Sequence, residues 1–411
     1  MRQQRLPHYE CDPPPIPIET SSTKPLQVAG LFAGIGGVEA GFSIAGHHSK
    51  FLCEIDDAAS AVLRAHFPGT EIVADIRDIP CLPDTGLLAA GFPCQDLSIS
   101  GPRGGISGQR SSLVQHVFRL LDTTATAPRW LLLENVPFML ELQKGEGMRY
   151  LLNELERRGY FWAYRVVDTR AFGLPHRRRR LLLLASRTCD PAPPLLGCDT
   201  NGPALAPFDQ DAACGFYWTE GHRGIGWSVN CVPPIKVGSG LGIPSAPAVW
   251  DPRDGSIFQP HINDLERLQG FDPDWTIPAE TVATPSVRWR LVGNSVSVPL
   301  AAWLGHRLLA TTEYDRSRDW PIPERAAWPQ AAWGCAGRGY ESCVSMWPVS
   351  AQLPPLTDFL SYERQPISTR AAAGLLNRLT KHGAIVPDRF RADLKKVAET
   401  YTSPVSIVPE V

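Results

Sequence analysis

A cysteine and a carboxylate stand where reactive side chains can be held against a ligand. Cys94 follows an apolar segment and a proline in GFPCQDLS, residues 91–98. A thiolate is a strong nucleophile that a stiff turn would position, although a lone cysteine is more often a buried packing residue. Glu134 ends the apolar segment LLLENV, where a partly desolvated carboxyl group suits proton donation. The sequence thus offers a candidate nucleophile and a candidate proton donor.

Four consecutive arginines, residues 177–180, precede the apolar segment LLLLAS. Side chains alternate between the two faces of a strand, so Arg178 and Arg180 should point one way and Arg177 and Arg179 the other. One pair could then enter a site and orient a carboxylate and a carbonyl oxygen. The alternative is a basic patch that only contacts phosphates.

A glycine-rich stretch, LFAGIGGVEAGF at residues 31–42, follows a predicted strand and opens a helix. Glycines there let the backbone approach a cofactor at a helix N-terminus, although a turn needed only for packing is an equal alternative. Glu54 and Asp75 end the next two strands, where carboxylates can accept from ribose hydroxyls and from an adenine amino group. Either could instead sit at the start of a helix. Together, the three features favour a ligand at the carboxyl edge of one sheet.

Strands that alternate with helices must position these residues. The sequence predicts strands at 28–32, 50–55, 71–74, 87–92, 130–133, 164–168 and 180–185. It predicts helices at 38–45, 58–67, 113–121 and 148–158. This alternation is typical of an α/β fold in which helices cover both faces of a mostly parallel sheet.

The alternation stops after Ser186, and the composition then changes. Residues 188–262 are rich in Pro and Gly, without helical periodicity, and helical patterns return at 263–268 and 296–309. The predicted organisation is a disordered Pro-rich lead-in at 1–25, a catalytic cofactor-binding domain at 26–187, a smaller domain at 188–262, a return to the first domain at 263–312, and a partly helical extension at 313–411. Two helices, 369–379 and 388–399, are expected in that extension.

Composition restricts the class of protein. The 411 residues are 43% hydrophobic with 12 Trp, enough for a large core. Forty basic and 42 acidic side chains give a net charge of −2, so any nucleic-acid surface must be local. Ten cysteines without a CxxC pair indicate reduced, cytosolic thiols and no metal site. Neither a signal peptide nor an apolar run of membrane-spanning length is visible.

In this order and at these spacings, the motifs resemble those of the cytosine-5 DNA methyltransferases of prokaryotic and phage type. The segments that carry the resemblance are FAGIGG, GFPCQ, ENV, the arginine cluster, RLQGF at residues 267–271 and GNSV at residues 293–296. The match runs from about residue 28 to 186 and resumes from about 263 to 309. It implies a Rossmann-like S-adenosylmethionine-dependent methyltransferase fold, with residues 188–262 as a loop-rich target-recognition domain.

The resemblance also implies a reaction. The enzyme would transfer a methyl group from S-adenosylmethionine to C5 of a cytosine that is flipped out of a specific duplex DNA sequence. Cys94 would form a covalent bond to C6 of the base, and Glu134 would hold N3 and the amino group. Arg180 would bind the base's O2, and Arg178 would brace Glu134.

Ligand contacts are implied residue by residue. The cofactor-binding residues would be Phe32, Gly34, Gly36, Glu54, Ile55, Asp75, Ile76, Gly91, Pro93, Asn294 and Val296. The DNA-binding residues would be Gln95, Ser98, Arg103, Arg110, His222, Arg223, Lys236 and Ser239. The loop from Ser98 to Ser111 would close behind the flipped base.

Two features depart from expectation. His176 stands where the family usually has Gln, which puts the placement of the neighbouring arginines in question. Residues 188–262 hold three basic and seven acidic residues, whereas a DNA reader is usually locally basic. Phosphate contacts could instead come from Arg103, Arg110, Arg288 and Arg290. Trp218 and Trp227 could contact DNA or only pack the small domain.

Other functions remain open from the sequence alone. The residues predicted to bind the cofactor would also suit a tRNA cytosine-5 methyltransferase or a non-catalytic DNA-binding protein. They fit a nicotinamide enzyme less well. The insert and the C-terminal segment favour double-stranded DNA. We expect a cytoplasmic, nucleoid-associated monomer in a bacterial or phage-infected cell, with a cognate restriction endonuclease that acts separately. Residues 368–383 could contact DNA, dock a partner or cap the fold.

Overall fold

The structure is a computed structural model that describes residues 24–92, 113–202, 211–220, 224–236, 247–310 and 313–399. The predicted lead-in at residues 1–23 and the Ser98 to Ser111 loop therefore lie outside the described residues. Within the described ranges, no helix is long and apolar enough to cross a membrane.

The described residues form two β-sheets and the helices that cover them. The strands are β1 Gln27–Leu31, β2 His48–Cys53, β3 Glu71–Val73, β4 Leu87–Ala90, β5 Trp130–Asn135, β6 Phe161–Asp168, β7 Arg179–Ser186, β8 Cys214–Phe216, β9 Ser228–Val229, β10 Ala248–Asp251, β11 Ser256–Gln259, β12 Trp320–Pro321, β13 Ala331–Cys335, β14 Arg338–Glu341 and β15 Gln365–Pro366. The α-helices are α1 Gly37–Ile44, α2 Asp57–His66, α3 Leu113–Thr123, α4 Glu146–Arg157, α5 Ala192–Leu196, α6 Ile262–Arg267, α7 Val287–Asn294, α8 Val298–Leu309, α9 Leu356–Phe359, α10 Thr369–Lys381 and α11 Asp388–Glu399.

The first sheet has the strand order β12-β14-β13-β6-β7-β5-β4-β1-β2-β3. Its half from β5 to β3 is parallel, and the strands from β7 outward pair antiparallel. Strand order reverses beside β1, because β2 and β4 lie on its two sides. A crevice for a ligand forms at the carboxyl ends of parallel strands at such a reversal. The predicted α/β class is confirmed.

Each face of this sheet carries its own apolar core, as the run of fully apolar strands requires. Phe118 of α3 and Leu151 of α4 are buried on one face. Phe42 of α1 and Leu304 of α8 are buried on the other. Helices therefore cover both faces and leave the strand ends as the place for a site.

The second sheet has the order β15-β11-β10-β8-β9, and the C-terminal helices pack on it. Phe390 of α11 and Leu375 of α10 are buried with Trp250 of β10. The predicted extension at 313–411 is thus not one separate unit, because its described part is divided between the two sheets. Strands β12 to β14 complete the first sheet, and residues 365–399 complete the second.

The start of the predicted insert also packs elsewhere. Residues 192–196 form α5, and Leu195 joins the apolar core of the first sheet. The fully buried Arg165 of β6 donates through Nη2 to Asp199 Oδ1 at 2.8 Å and through Nη1 to the carbonyl of Leu195 at 3.2 Å. These contacts hold residues 192–199 against the first sheet.

Helices α6, α7 and α8 meet in a polar junction. Buried Gln269 donates to the Val292 carbonyl at 3.0 Å and accepts from Ser297 Oγ at 2.6 Å. The helix expected over 296–309 is observed as α8, which begins two residues later, at Val298. Asn294 ends α7, the backbone is extended at Ser295, and Ser297 precedes α8. Gln269 bonds residues on both sides of this break.

Arg288 lies in the same junction, which contradicts the expectation that it contacts phosphate. Its Nη2 donates to Glu266 Oε1 at 3.0 Å, and its Nε donates to Thr276 Oγ1 at 2.8 Å. Both Arg288 and Glu266 are buried. A buried guanidinium that a carboxylate neutralises is a structural group rather than a surface cation.

Replacing Arg288 with Met should therefore destabilise the fold strongly. The Glu266 carboxylate would remain buried without its cation, and such a loss costs about 3–5 kcal/mol of unfolding free energy. Urea denaturation measures it. Arg290→Met is the matched control, because Arg290 pairs with Asp56 at 2.5 Å but is 39% exposed and should cost no more than about 1 kcal/mol. Equal losses in the two variants would contradict the buried-pair interpretation.

Candidate functional site

The glycine-rich turn sits at the carboxyl end of β1. Its backbone is left-handed at Phe32, Gly34 and Gly36, with φ of 57°, 58° and 84°. A Cβ on Gly36 would lie 2.4 Å from the Phe67 ring, so only glycine fits there. Trp275 donates from its indole nitrogen to the Ile35 carbonyl at 2.9 Å and holds the turn from outside.

Glu54 organises this turn from the end of β2. Its Oε2 accepts from the Gly34 N–H at 2.7 Å, and its Oε1 accepts from the Asp56 N–H at 2.8 Å. Burial is the main reason that the pKa of Glu54 is raised, while the two backbone N–H groups oppose the shift. Each oxygen retains a further acceptor site, which suits the two hydroxyls of a ribose.

Ile55 follows Glu54 with its side chain 67% exposed, unusual for a large apolar residue. A Cβ on Gly34 would have no atom of the described residues within 4 Å, so the backbone there is open to a ligand. An exposed apolar side chain beside a carboxylate with spare acceptors fits a nucleoside.

Asp75 and Ile76 fit the expectation less directly. The Asp75 carboxylate accepts from the Arg77 backbone N–H at 2.9 Å and forms an ion pair with the Arg77 guanidinium, which holds the pKa of Asp75 near 2. An adenine amino group would have to share that carboxylate. The side chain of Ile76 is buried in the core, so only its backbone could face a ligand.

The GFPCQ and ENV segments meet at the ends of β4 and β5. Asn135 donates from Nδ2 to the Phe92 carbonyl at 3.0 Å and so ties ENV to the residue before Pro93. A Cβ on Gly91 would lie 3.4 Å from Glu134 Oε2. The Glu134 carboxyl group therefore faces the start of GFPCQ. The role of Asn135 was missed from sequence, although its place within ENV was a signal.

Arg180 forms an ion pair with Glu134, with Nε 2.8 Å from Oε1. Arg178, by contrast, donates from Nη2 to the Ser295 carbonyl at 2.6 Å and has no ion pair in the described part of the chain. The sequence predicted that Arg178 would hold Glu134, and this is corrected here: Arg180 holds Glu134. The physical reason is that Arg180 lies two residues further along the strand, where β7 pairs with the end of β5.

The predicted alternation of the arginines holds. Arg178 is buried and Arg180 is 12% exposed, and desolvation lowers the pKa of both guanidiniums. Arg179 is exposed, and Arg177 donates from Nη2 to the Gly226 carbonyl at 3.1 Å on the other side. One carboxylate thus faces two desolvated guanidiniums, which leaves an excess of positive charge beside Glu134.

His176 is fully buried, and its ring hydrogen-bonds two other segments of the chain. Its Nε2 accepts from the Ile235 N–H at 3.2 Å, so the proton must sit on Nδ1, which donates to the Leu268 carbonyl at 3.1 Å. Burial lowers the pKa of His176 well below its usual value, which keeps the ring neutral. His176 therefore joins the arginine segment to both Leu268 and Ile235. Its neutral ring offers one hydrogen-bond donor and one acceptor, as a side-chain amide does, and this role requires no more than that.

Of the two late cofactor candidates, Val296 lies against the end of the glycine-rich turn. A Cβ on Gly37 would lie 2.2 Å from the Val296 carbonyl oxygen, so this backbone lies directly on the start of α1. Asn294 is exposed at the end of α7. Its side chain is free to face a ligand but is not the helix cap considered from sequence.

Several predicted site residues cannot be placed. Those outside the described residues are Pro93, Cys94, Gln95, Ser98, Arg103, Arg110, His222, Arg223 and Ser239. Lys236 is described and forms an ion pair with Glu220. Trp227 lies between Phe216, Trp250 and Phe390, and Trp218 also packs against this core, as the packing alternative predicts.

Comparison with known proteins defines the class. A family model described as C-5 cytosine-specific DNA methylase matches residues 26–193. The Type II methyltransferase M2.BsuMI of Bacillus subtilis (strain 168) is 44% identical over 365 residues, which cover 87% of this chain and 94% of that protein. The chain belongs to the C-5 cytosine-specific DNA methylase family and is a DNA cytosine-5 methyltransferase, as its motifs predict.

A second relative and a solved structure agree. The Type II methyltransferase M.HaeII of Haemophilus aegyptius is 34% identical over 299 residues, 66% of this chain and 88% of that protein. The crystal structure of S. pombe Dnmt2 methyltransferase has a TM-score of 0.51 at 17% identity and covers 69% of this chain and 98% of that one. The predicted methyltransferase fold is confirmed, and the tRNA alternative is not favoured. Membership implies DNA as substrate and, in general, S-adenosylmethionine as methyl donor.

Glu39 is a buried carboxyl group that sequence reasoning did not single out. It lies on α1 against Gly30 of β1, is 1% exposed, and its Oε2 has no hydrogen-bond partner in the described structure. Burial raises the pKa of Glu39 to about 7, and the nearby charge of Glu54 adds to the shift. The folded protein therefore holds this proton more tightly than the unfolded chain does.

Glu39→Gln should remove a pH dependence of stability. The contribution of Glu39 is fully present below pH 4.5 and is lost as pH rises through about 7. The variant should exceed the wild type in unfolding free energy by up to about 3 kcal/mol at pH 8, and by under about 1 kcal/mol at pH 5. Urea denaturation at the two pH values measures this. Glu71→Gln controls for net charge, and an unchanged difference between the two pH values would sink the idea.

Proposed function

We propose that the site transfers a methyl group from S-adenosylmethionine to C5 of a cytosine in duplex DNA through a covalent bond between Cys94 and C6. The observation that carries the proposal is the Glu134–Arg180 ion pair at 2.8 Å, placed beside Gly91 at the start of the segment that contains Cys94. An acid held by a guanidinium is the group that a cytosine ring needs at N3 and its amino group.

The cofactor would lie across the ends of β1 and β2. Glu54 would take the ribose hydroxyls, Ile55 would cover one adenine face, and the backbone of Phe32, Gly34 and Gly36 would line the rest. Asp75 and the Ile76 backbone would reach the adenine edge, and Gly91, Pro93, Asn294 and Val296 would complete the pocket. The bound cofactor supplies an electrophilic methyl group on a sulfonium sulfur.

Cytosine C5 is a poor nucleophile, and the residues of this chain would correct that. The Cys94 thiolate adds to C6, which moves electron density toward C5 and N3. Glu134 donates a proton or hydrogen bond at N3 as that charge develops. The excess positive charge of Arg178 and Arg180 would stabilise the negative charge that develops on the ring, and Arg180 would also bind O2. After C5 is methylated, a base takes the C5 proton and the thiolate leaves.

Arg180 and Glu134 would then act as one unit. Such units show non-additive effects, because removing either member already disables the pair. Since Arg178 binds the Ser295 carbonyl instead, its contribution should be separable from that of Glu134.

Recognition and biological context form the finer part of the proposal. The second sheet and the segments around Lys236 and Ser239 would act as the target-recognition domain, and the base would be flipped out of the duplex. The similarity to two Type II methyltransferases supports a modification enzyme that protects DNA from a separate endonuclease. A cytoplasmic monomer with access to the nucleoid fits that role.

Methyl transfer tests the proposal directly. Labelled methyl from S-adenosylmethionine should enter duplex DNA at cytosine C5 and not tRNA, and Cys94→Ser should reduce the rate at least about 10³-fold, because the hydroxyl is a far weaker nucleophile. A duplex in which fluorine replaces hydrogen at the target C5 should trap wild-type protein as a stable adduct, since fluorine cannot leave as a cation. Label in tRNA alone, or an active Cys94→Ser variant, would overturn it.

A double-mutant cycle tests the pairing. Glu134→Gln and Arg180→Met should each lower kcat about 10²- to 10³-fold. The kcat of the double variant should be little lower than that of the less active single variant. The matched cycle with Arg178→Met should be closer to additive. Single-turnover methyl transfer gives the rates. Stronger coupling of Glu134 to Arg178 than to Arg180 would restore the assignment expected from sequence.

A further inference from the structure

Helix α10 lies outside the residues that the family model matches and packs on the second sheet. Residues 369–399, which form α10 and α11, hold seven basic and three acidic residues, whereas residues 188–262 hold three basic and seven acidic ones. Positive charge is therefore scarce in the segment expected to read DNA and abundant in the helices attached to it.

The two helices differ in how their basic side chains are used. On α11, Lys395 pairs with Glu399 at 3.6 Å, Lys396 pairs with Asp393 at 2.9 Å, and Arg389 pairs with Asp211 at 3.5 Å. On α10, Arg370 and Lys381 are exposed and have no acidic partner among the described residues. Arg370 and Lys381 of α10 are thus available to meet a polyanion.

The free cations share one helix face. Arg370, Ala373, Asn377 and Lys381 are all exposed, at spacings of three and four residues. The opposite face, with Ala372, Leu375 and Leu379, is buried in the core of the second sheet. The two charges lie about 16 Å apart along the helix, with small and polar side chains between them. Such a face can approach a duplex closely.

Arg378 joins this helix to the segment next to the catalytic arginines. It donates from Nη2 to the Trp218 carbonyl at 2.6 Å and from Nε to the Glu220 carbonyl at 3.1 Å. Glu220 in turn pairs with Lys236, and the preceding residue, Ile235, donates to buried His176. A continuous set of contacts therefore runs from α10 to the arginine segment.

We propose that α10 is part of the DNA interface, with Arg370 and Lys381 contacting phosphates of the duplex that flanks the target base. This inference rests on the proposed function, because it takes the substrate to be duplex DNA. The occupant is chosen by charge complementarity and by the continuity of α10 with residues 218–236. Phosphate contacts carry no sequence information, so α10 supplies affinity and register rather than base specificity.

The test compares two double variants of the full chain that remove the same charge. Arg370→Gln with Lys381→Gln removes the free cations of α10, and Lys395→Gln with Lys396→Gln removes two paired cations of α11. Binding of a fluorescent duplex of arbitrary sequence is measured between about 50 and 200 mM salt, and kcat and KM are measured for methyl transfer to DNA. Unfolding midpoints should match, because all four side chains are exposed.

The α10 variant should flatten the dependence of log affinity on log salt by about 1.8, since each phosphate contact contributes about 0.9. Its KM for DNA should rise about tenfold with kcat within about twofold, while the α11 variant stays near the wild type. An equal change in both variants, or no change in either, would overturn the inference. Wild-type protein that binds DNA through α10 but transfers no methyl group would sink the proposed function and leave the interface standing.

Discussion

The desolvation of charge at the ends of β5 and β7 is the constraint on which the rest of the structure depends. Two guanidiniums, Arg178 and Arg180, are desolvated with the single carboxylate of Glu134. Burying charge is costly unless hydrogen bonds replace water. The Ser295 carbonyl and the Glu134 carboxylate provide those bonds, and they come from distant segments of the chain. The site can exist only if α7, α8 and the first sheet are assembled together.

The polar junctions around this site follow from the same constraint. Gln269 holds the backbone on either side of the break between α7 and α8, which leaves the Ser295 carbonyl available to Arg178. His176 fixes the arginine segment against Leu268 and Ile235 while remaining neutral, so it adds no further charge to a site that is already positive. A neutral donor and acceptor suits this position better than a charged one would.

The proposed function divides the chemistry and the binding of DNA between the two sheets. The parallel half of the first sheet brings the glycine-rich turn, Glu54 and Glu134 to one edge. The second sheet is small, and α10 and α11 complete its core, so the C-terminal helices are required for it to fold. Residues far beyond those that the family model matches therefore lie next to the segment that ends at Lys236.

The sequence by itself determined the α/β class, the strands and helices of residues 27–186, the family, and the pairing of Arg178 with Arg180 on one face, because periodicity and motif order are local properties. Tertiary structure alone decided which arginine holds Glu134, since that depends on the register of β7 against β5. It also decided that Arg288 is a buried structural cation and that residues 313–399 serve both sheets. Those outcomes depend on contacts between residues distant in the chain, which no local pattern records.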